Sequence, residues 1–206
     1  MKINKEYIFP SITYIVDDIL ENKDLLLMKD DIIESSKKIG RKINWQSNHD
    51  TELHKKEPYI NLGAIAFQLS KKYIDDLLYN YDSIYISGMW SNILKPGESF
   101  NPHTHSNNFV SGVFYVDADE HQSPALGFLD PRPQAGVLQP DVKSHNVENA
   151  TIWNYPAKTN RMILFPSWLQ HYVPANHLDK NRISIAFNVM LKGQVGRPQH
   201  LQSAEF

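Results

Sequence analysis

The sequence reads NPHTHSNNFVSGVFYV from residue 101 to residue 116, so two histidines one residue apart stand just before a β-forming run. Side chains two positions apart on an extended segment project to the same side. Imidazole is a common ligand of iron, copper, nickel and zinc, which makes His103 and His105 a candidate metal-binding pair. Because a chain with nine histidines can place two of them close together by chance, the prediction requires a third ligand from elsewhere.

The third candidate is His171, which ends the segment FPSWLQH. This histidine follows the apolar run Met162–Phe165 and a proline, so it is predicted to open a new strand. A single histidine at such a place is more often a hydrogen-bonded rim residue than a ligand. The chain between His103 and His171 is nevertheless long enough to wrap several strands and to bring both histidines to one end of a barrel.

Arg182 and Ser184 lie in the run RISIAFN and share one face of the predicted strand. If Ile183 and Ile185 pack in a barrel wall, Arg182 faces either a cavity or solvent. Inside a cavity, a permanent cation needs an anionic partner, and a carboxylate-bearing ligand gripped by Arg182 and the Ser184 hydroxyl would provide one. The simpler alternative is a surface Arg182 paired with Asp179.

Composition predicts an ordinary single domain over residues 1–206, with 41% hydrophobic and 21% charged residues. The net charge of -2 argues against nucleic acid or an anionic membrane as a partner. No apolar run approaches the roughly 20 residues of a membrane span, and the first residues lack a secretory signal pattern. The absence of cysteine excludes disulfides, thiolate metal sites and a Cys nucleophile. A cytoplasmic location is the default expectation.

Residues 1–82 are predicted to form a strand and two supporting helices. The strand spans Ile8–Val16, where β-forming residues dominate. The first helix begins at Asn22 and ends at Gly40, and the second spans Ala64–Tyr79. The polar segment between the helices, residues 41–59, is expected to be irregular.

After residue 82 the helical periodicity gives way to short β-forming runs separated by Pro, Gly, Asn and Asp. This pattern predicts a β-sandwich or barrel over residues 83–192, with the helices packed on one sheet face. The connection Pro131–Asn149 is long enough to form a mobile loop or lid. The tail, residues 193–206, is expected to fray. The predicted strands are Ser83–Leu94, Val110–Val116, Ala125–Leu129, Thr151–Trp153, Arg161–Phe165, His171–Val173 and Arg182–Met190.

Four segments, taken together, resemble one known family: Pro102–His105, Ser111–Val116, Phe165–Trp168 with His171, and Arg182–Asn188. Their order is similar to that in the double-stranded β-helix, a jelly-roll barrel, of the iron(II)- and 2-oxoglutarate-dependent oxygenases, which include the prolyl hydroxylases. The segments most closely resemble a bacterial and phage branch of that superfamily.

The resemblance implies that Arg182, with Ser184, binds the distal carboxylate of 2-oxoglutarate. Tyr115 is placed like an aromatic residue that often hydrogen-bonds the same carboxylate. Asn92, on the preceding strand, is also expected to approach the co-substrate. These four residues form the predicted co-substrate site.

The resemblance also implies that His103 and His171 are iron ligands. The usual family motif is His-x-Asp or His-x-Glu, whereas His105 stands at the carboxylate position here. We favour a metal site of three histidines. The alternative is a carboxylate recruited from elsewhere, with Glu98, Asp117 and Asp119 as candidates.

The implied activity is that of a dioxygenase that uses Fe(II), 2-oxoglutarate and O2 to hydroxylate a small molecule or a peptide, releasing succinate and CO2. Four aromatic residues are candidates to line the substrate mouth, although aromatic residues in a β-barrel are more often core. They are Trp90, Phe128, Trp153 and Trp168.

Two other functions fit parts of the pattern. A cupin-type metalloenzyme would use a similar barrel, and Gly97 has the spacing to His103 that the first cupin motif requires. That motif also needs a Glu soon after His105, which is missing, and a cupin has no particular use for Arg182 and Ser184. A non-catalytic barrel that binds a metal or another ligand is the second alternative, since a closed histidine site suits zinc.

Overall fold

The computed structural model describes residues 1–39, 50–197, 199 and 201–206. Two α-helices, α1 (Asn22–Ile39) and α2 (Ile60–Asp76), precede nearly all of the strands. The strands in chain order are β1 (Tyr14–Asp17), β2 (Ser83–Leu94), β3 (Phe100–His103), β4 (Val110–Asp117), β5 (Leu126–Leu129), β6 (Ile152–Tyr155), β7 (Arg161–Pro166), β8 (His171–Val173), β9 (Arg182–Lys192), β10 (Gln194–Arg197) and β11 (Gln202–Glu205).

Two antiparallel sheets form the barrel. The larger sheet has the strand order β1-β7-β4-β9-β2 and the smaller sheet the order β3-β8-β5-β6. Most neighbouring strands in these two sheets are not consecutive in the chain, as in a jelly roll. The predicted fold class, a mainly β double-stranded β-helix with flanking N-terminal helices, is confirmed. No described helix is both long and apolar enough to cross a membrane.

Strand β9, which lies between β4 and β2, separates the apolar core from the barrel interior. Ile183, Ile185 and Phe187 belong to the apolar cluster that contains buried residues of α1 and α2. Arg182 and Ser184, on the opposite face, line the barrel interior. This alternation follows from the two-residue period of a strand. Because the outer, apolar face packs against the helices, the polar side chains of the other face point inside the barrel.

The predicted strands of the barrel are confirmed to within one or two residues at each end. One strand was missed, Phe100–His103, because it is short and contains a proline and an asparagine, which favour turns. It forms nonetheless because β8 lies opposite it, with His103 across from His171.

Three predictions for the residues before 83 and after 192 were wrong. The first strand covers only Tyr14–Asp17, where β7 lies opposite it, while Ile8 and Phe9 are exposed. The second helix begins at Ile60 rather than Ala64. The tail does not fray, because β10 and β11 pair as a hairpin and Phe206 exchanges two backbone hydrogen bonds with Gly193. Residues 41–49 of the segment predicted to be irregular, and Gly40, the predicted end of the first helix, lie outside the described residues.

An ion pair joins β1 to β7 at the last residue of the first strand. Arg161 donates from Nε and Nη2 to the two carboxylate oxygens of Asp17, over 2.7 and 2.9 Å. The Arg161 guanidinium, aided by Lys158, lowers the pKa of Asp17 to about 2. A carboxyl group whose pKa is lowered in the folded state stabilises the protein above its ordinary pKa, and this contribution is lost as the pH falls towards the lowered value.

We therefore expect Asp17→Asn to lower the free energy of unfolding by about 1 kcal/mol at pH 7, a value reduced for partial exposure. The difference from wild type should shrink as the pH falls from about 4 towards 2. Urea denaturation across this range measures it. Asp179→Asn is the control, since no described cation pairs with that exposed carboxylate. A difference that stays constant with pH would contradict the ion-pair explanation.

Candidate metal centre and co-substrate cavity

Three histidines meet at one end of the barrel. His103 ends β3 and lies opposite His171, the first residue of β8, and His105 follows two residues after His103. One nitrogen from each ring lies within 4.8 Å of a nitrogen from each of the others. The ring centroids of His103 and His171 are 4.3 Å apart, and His105 lies 5.2 and 5.1 Å from them. The structure thus brings together the three residues that the sequence nominated as metal ligands.

Two of the imidazoles are oriented by backbone carbonyls. His103 Nδ1 lies 2.7 Å from the Asn101 carbonyl oxygen, and His171 Nδ1 lies 2.9 Å from that of Leu169. A carbonyl oxygen only accepts hydrogen bonds, so each Nδ1 carries the hydrogen and each Nε2 keeps a lone pair. Metal-binding histidines commonly have such a hydrogen bond on the nitrogen that faces away from the metal.

Burial keeps the imidazoles of His105 and His171 neutral. Loss of solvent lowers the pKa of His171 to about 3, and the Leu169 carbonyl only partly opposes this effect. Loss of solvent also lowers the pKa of His105 to about 4, with a further contribution from His103. Both imidazoles are therefore unprotonated at neutral pH, which is the form that binds a metal.

The carboxylates considered as alternative ligands are engaged elsewhere. Asp117 pairs with Lys29 over 2.7 Å, and Asp119 accepts the backbone N–H of His121 over 3.0 Å. Glu98 accepts the backbone N–H of Lys95. Within the described part of the chain, the candidate metal cluster consists of imidazoles alone.

Arg182 is buried inside the barrel with only 2% of its surface exposed. Its Nη1 donates to the Pro124 carbonyl oxygen over 2.8 Å, and its Nε has no hydrogen-bond partner. Burial lowers the pKa of this guanidinium, although an arginine remains charged at neutral pH. Among the described residues no carboxylate pairs with it, so the surface ion pair with Asp179 is not formed.

The other predicted co-substrate residues surround the guanidinium. Ser184 lies opposite Asn92 on one neighbouring strand and opposite Tyr115 on the other. The Arg182 guanidinium carbon is 5.4 Å from the centroid of the Tyr115 ring. The Tyr115 hydroxyl is buried without a hydrogen-bond partner, like Arg182 Nε. A carboxylate ligand could accept hydrogen bonds from both of these buried donors and would neutralise the guanidinium. These residues therefore fit a dicarboxylate such as 2-oxoglutarate.

A single cavity of about 1040 Å³ joins the two groups of residues, since the three histidines and the four predicted co-substrate residues, Arg182 included, all line it. It lies between the two sheets, and Val113, Leu126 and Phe165 supply apolar wall. A ligand held at one end by Arg182 can therefore extend towards the imidazoles without leaving the barrel.

The predictions for the substrate mouth were mostly wrong. Of the four aromatic candidates, Trp90 alone lines this cavity in the described structure. Phe128 is core, and Trp153 lines a separate cavity of about 580 Å³ on the other side of Phe128. Trp168 is 58% exposed. Residues of the connection Pro131–Asn149 line the separate cavity rather than the one that contains the histidines, and the role of this connection as a mobile loop or lid stays a prediction.

Sequence reasoning missed Asn188, which lines the same cavity with its Nδ2 at 3.5 Å from His105 Nδ1. A signal was present, since Asn188 shares a strand face with Arg182 and Ser184. Ser111, which donates to Asn188 Oδ1, and Ser167, which bonds to Ser111, carried no comparable signal because they come from different parts of the chain.

The fold and the site together define a class, a double-stranded β-helix protein with a candidate metal centre at one end of the barrel. The family model described as "Putative 2OG-Fe(II) oxygenase" matches residues 88–188. This match covers the strands that carry the histidines and Arg182. No curated protein is significantly similar in sequence.

Solved structures with the same fold are distant in sequence. A prolyl-4-hydroxylase from Pseudomonas putida is 14% identical, with a TM-score of 0.61 and 89% of each chain covered. HygX from Streptomyces hygroscopicus, solved with nickel and 2-oxoglutarate bound, is 8% identical, with a TM-score of 0.62 and coverage of 87% of this chain and 82% of HygX. The carbocyclase SnoK from nogalamycin biosynthesis is 11% identical, with a TM-score of 0.63 and coverage of 91% and 83%.

Residues 88–188 of the chain thus match a family of the iron(II)- and 2-oxoglutarate-dependent oxygenase superfamily, and the solved structures show the same fold. The cofactors of that superfamily are Fe(II), 2-oxoglutarate and O2.

A buried cation without a described counter-charge should destabilise the protein when no ligand is present. We expect Arg182→Met, which retains the volume and removes the charge, to raise the free energy of unfolding by roughly 1–2 kcal/mol. Denaturation of the metal-free and co-substrate-free protein measures the change. Arg161→Met is the control, because Arg161 is paired with Asp17 and its loss should destabilise the protein. A destabilised Arg182→Met variant would show that the hydrogen bond to Pro124 outweighs the burial of charge.

Proposed function

We propose that the protein is a dioxygenase that hydroxylates a small molecule or a peptide, with His103, His105 and His171 binding Fe(II). The observation that carries the proposal is the buried guanidinium of Arg182, which shares one cavity with three imidazoles and has no carboxylate partner in the described structure. A site for a metal alone has no need of this cation, whereas a dicarboxylate co-substrate does.

The charges of the site support this proposal. Three neutral imidazoles contribute no negative charge to the metal, and Arg182 adds a second positive centre in the same cavity. A dianion such as 2-oxoglutarate would balance both, with one carboxylate near the metal and the other at Arg182. When bound, Fe(II) and 2-oxoglutarate supply the electrons for O2 activation, and the co-substrate leaves as succinate and CO2.

The residues of the chain bind and orient these groups. His103 and His171 present fixed Nε2 lone pairs, while Arg182 and Ser184 would hold the distal carboxylate. Tyr115 and Asn92 lie on the strands that flank Ser184 and would complete the polar end of the cavity. The apolar wall limits water around the reacting atoms, which strengthens every one of these polar contacts.

Hydroxylation is the simplest reaction of such a centre, and the likeness to a prolyl-4-hydroxylase is compatible with it. SnoK, of similar fold, is described as a carbocyclase, so the fold alone does not select the reaction. The substrate would enter on the side of the cavity lined by Trp90, next to His105. A cytoplasmic location stays a prediction.

The metal assignment is tested by binding of Fe(II) under anaerobic conditions. We expect His103→Ala and His171→Ala each to weaken Fe(II) binding by more than about 100-fold, the upper range for loss of an outer-shell partner. Isothermal titration calorimetry measures the affinity, and His145→Ala, at an exposed position, is the control. Retention of Fe(II) affinity in both cluster variants would place the metal elsewhere.

The co-substrate assignment is tested by anaerobic titration of the Fe(II)-loaded protein with 2-oxoglutarate, following the visible charge-transfer band. We expect Arg182→Met to weaken 2-oxoglutarate binding by roughly 10- to 150-fold, because a charge-assisted contact contributes about 1.5–3 kcal/mol. Fe(II) affinity measured without co-substrate should change little.

Arg161→Met is again the matched control, since Arg161 lies outside the cavity and should not affect 2-oxoglutarate. An equal loss of Fe(II) and 2-oxoglutarate in Arg182→Met would make Arg182 structural. If the wild-type protein binds Fe(II) but does not bind 2-oxoglutarate, the result would favour a cupin-type metalloenzyme or a non-catalytic metal-binding barrel.

A further inference from the structure

A buried chain of hydrogen-bonding side chains leads to His105 from the interior of the large sheet. Ser111 Oγ lies 2.7 Å from Asn188 Oδ1 and 2.8 Å from Ser167 Oγ. Asn188 Nδ2 lies 3.5 Å from His105 Nδ1. Ser111 and Ser167 are each 1% exposed and Asn188 is 7% exposed, so this chain is shielded from water.

The backbone fixes the positions of these residues. Ser111 and Asn188 face each other on the adjacent strands β4 and β9. The backbone N–H of His105 donates to the Ser167 carbonyl oxygen over 3.0 Å. Asn188 and His105 therefore stay in contact while their side-chain hydrogens remain free to rearrange.

The amide of Asn188 can present either of two groups to His105. In the orientation with Nδ2 towards the ring, the amide only donates, so His105 Nδ1 accepts and the ring hydrogen lies on Nε2. In the opposite orientation, Oδ1 accepts a hydrogen from Nδ1, Nδ2 donates to Ser111 Oγ, and Ser111 donates to Ser167. In both orientations the hydroxyls of Ser111 and Ser167 keep their hydrogen bonds, because a hydroxyl can donate or accept.

The two orientations differ in what His105 offers to a metal. With Nδ1 facing Asn188, the nitrogen left for a metal is Nε2, and it has a free lone pair only in the second orientation. His103 and His171 have no such choice, since backbone carbonyls fix their Nδ1 hydrogens. Among the three histidines of the described cluster, His105 is thus the one whose tautomer depends on a side-chain amide, that of Asn188, which can rotate between two orientations.

We propose that Asn188 is a positioning residue that sets the tautomer of His105, so that the third imidazole binds a metal only when the amide turns Oδ1 towards it. This inference rests on the proposed assignment of His105 as a metal ligand. Metal binding then includes a rotation of the Asn188 amide and a reorientation of the Ser111 and Ser167 hydroxyls, with no gain or loss of protons in this chain.

The first test compares two replacements of Asn188 in the full-length protein with Zn(II) as the probe. Asn188→Asp presents only acceptors and holds the hydrogen on Nδ1, so Zn(II) affinity should rise by roughly 10-fold. Asn188→Leu presents no acceptor, and Zn(II) affinity should fall by roughly 10- to 100-fold, as on loss of an outer-shell partner. A purely structural role would lower the affinity in both variants, and this result would overturn the proposal.

A control in the His105→Ala background shows whether the effect passes through the imidazole. There, neither replacement of Asn188 should change Zn(II) affinity by more than about twofold, since uncoupled sites show no interaction energy. Effects as large as in the parent protein would overturn the proposal. Thermal unfolding of each metal-free variant identifies any change that comes from loss of the fold.

The second test observes the tautomer directly by nitrogen-15 NMR of protein with labelled histidine, at a pH where His105 is neutral. The hydrogen of His105 should lie on Nε2 without metal and on Nδ1 with Zn(II), while His103 and His171 keep theirs on Nδ1. A hydrogen on Nδ1 of His105 in both states would overturn the proposal. None of these measurements uses 2-oxoglutarate, so failure of the oxygenase assignment at the co-substrate would leave their outcome unchanged.

Discussion

The burial of Arg182 is the constraint on which the interior of this protein depends. Strand β9 must place Ile183, Ile185 and Phe187 against the helices, and the two-residue period of a strand then sends Arg182 and Ser184 into the barrel. A one-residue shift of the strand would turn the isoleucines into the cavity and bury a cation in the apolar core. The requirement for an apolar core therefore also fixes the position of the guanidinium in the cavity.

Pairing of two short strands completes the arrangement at the other end of the cavity. β3 and β8 are far apart in sequence, and their antiparallel register sets His103 directly across from His171. His105 lies just beyond the paired segment, where the backbone N–H bonds to Ser167. Two of the imidazoles are thus positioned by the sheet and its backbone carbonyls, whereas the third depends on side chains for its orientation.

Much of the fold and the candidate residues His103, His105 and Arg182 could be predicted from the sequence because they depend on local patterns, whereas Tyr115 and Asn92 were named from the resemblance to a known family. The alternation in β9 and the spacing of His103 and His105 are visible in a few consecutive residues. The hairpin of β10 and β11 was missed because its residues are mostly polar and exposed and pair through the backbone, although Val195 also packs against the apolar core. The contact of Asn188 with His105 and the separation of Trp153 from the cavity depend on distant parts of the chain, which no local pattern reports.

A metal centre built from neutral ligands has a consequence for the order in which small molecules assemble in the barrel. Without a carboxylate among the described histidines, a divalent ion and a dianion would each provide the counter-charge that the other lacks. Their affinities are then linked, and by reciprocity the factor by which the ion tightens the anion equals the factor by which the anion tightens the ion. The protein would bind either one weakly and the two together tightly, so the concentration of the diacid would determine how much of the protein retains the ion.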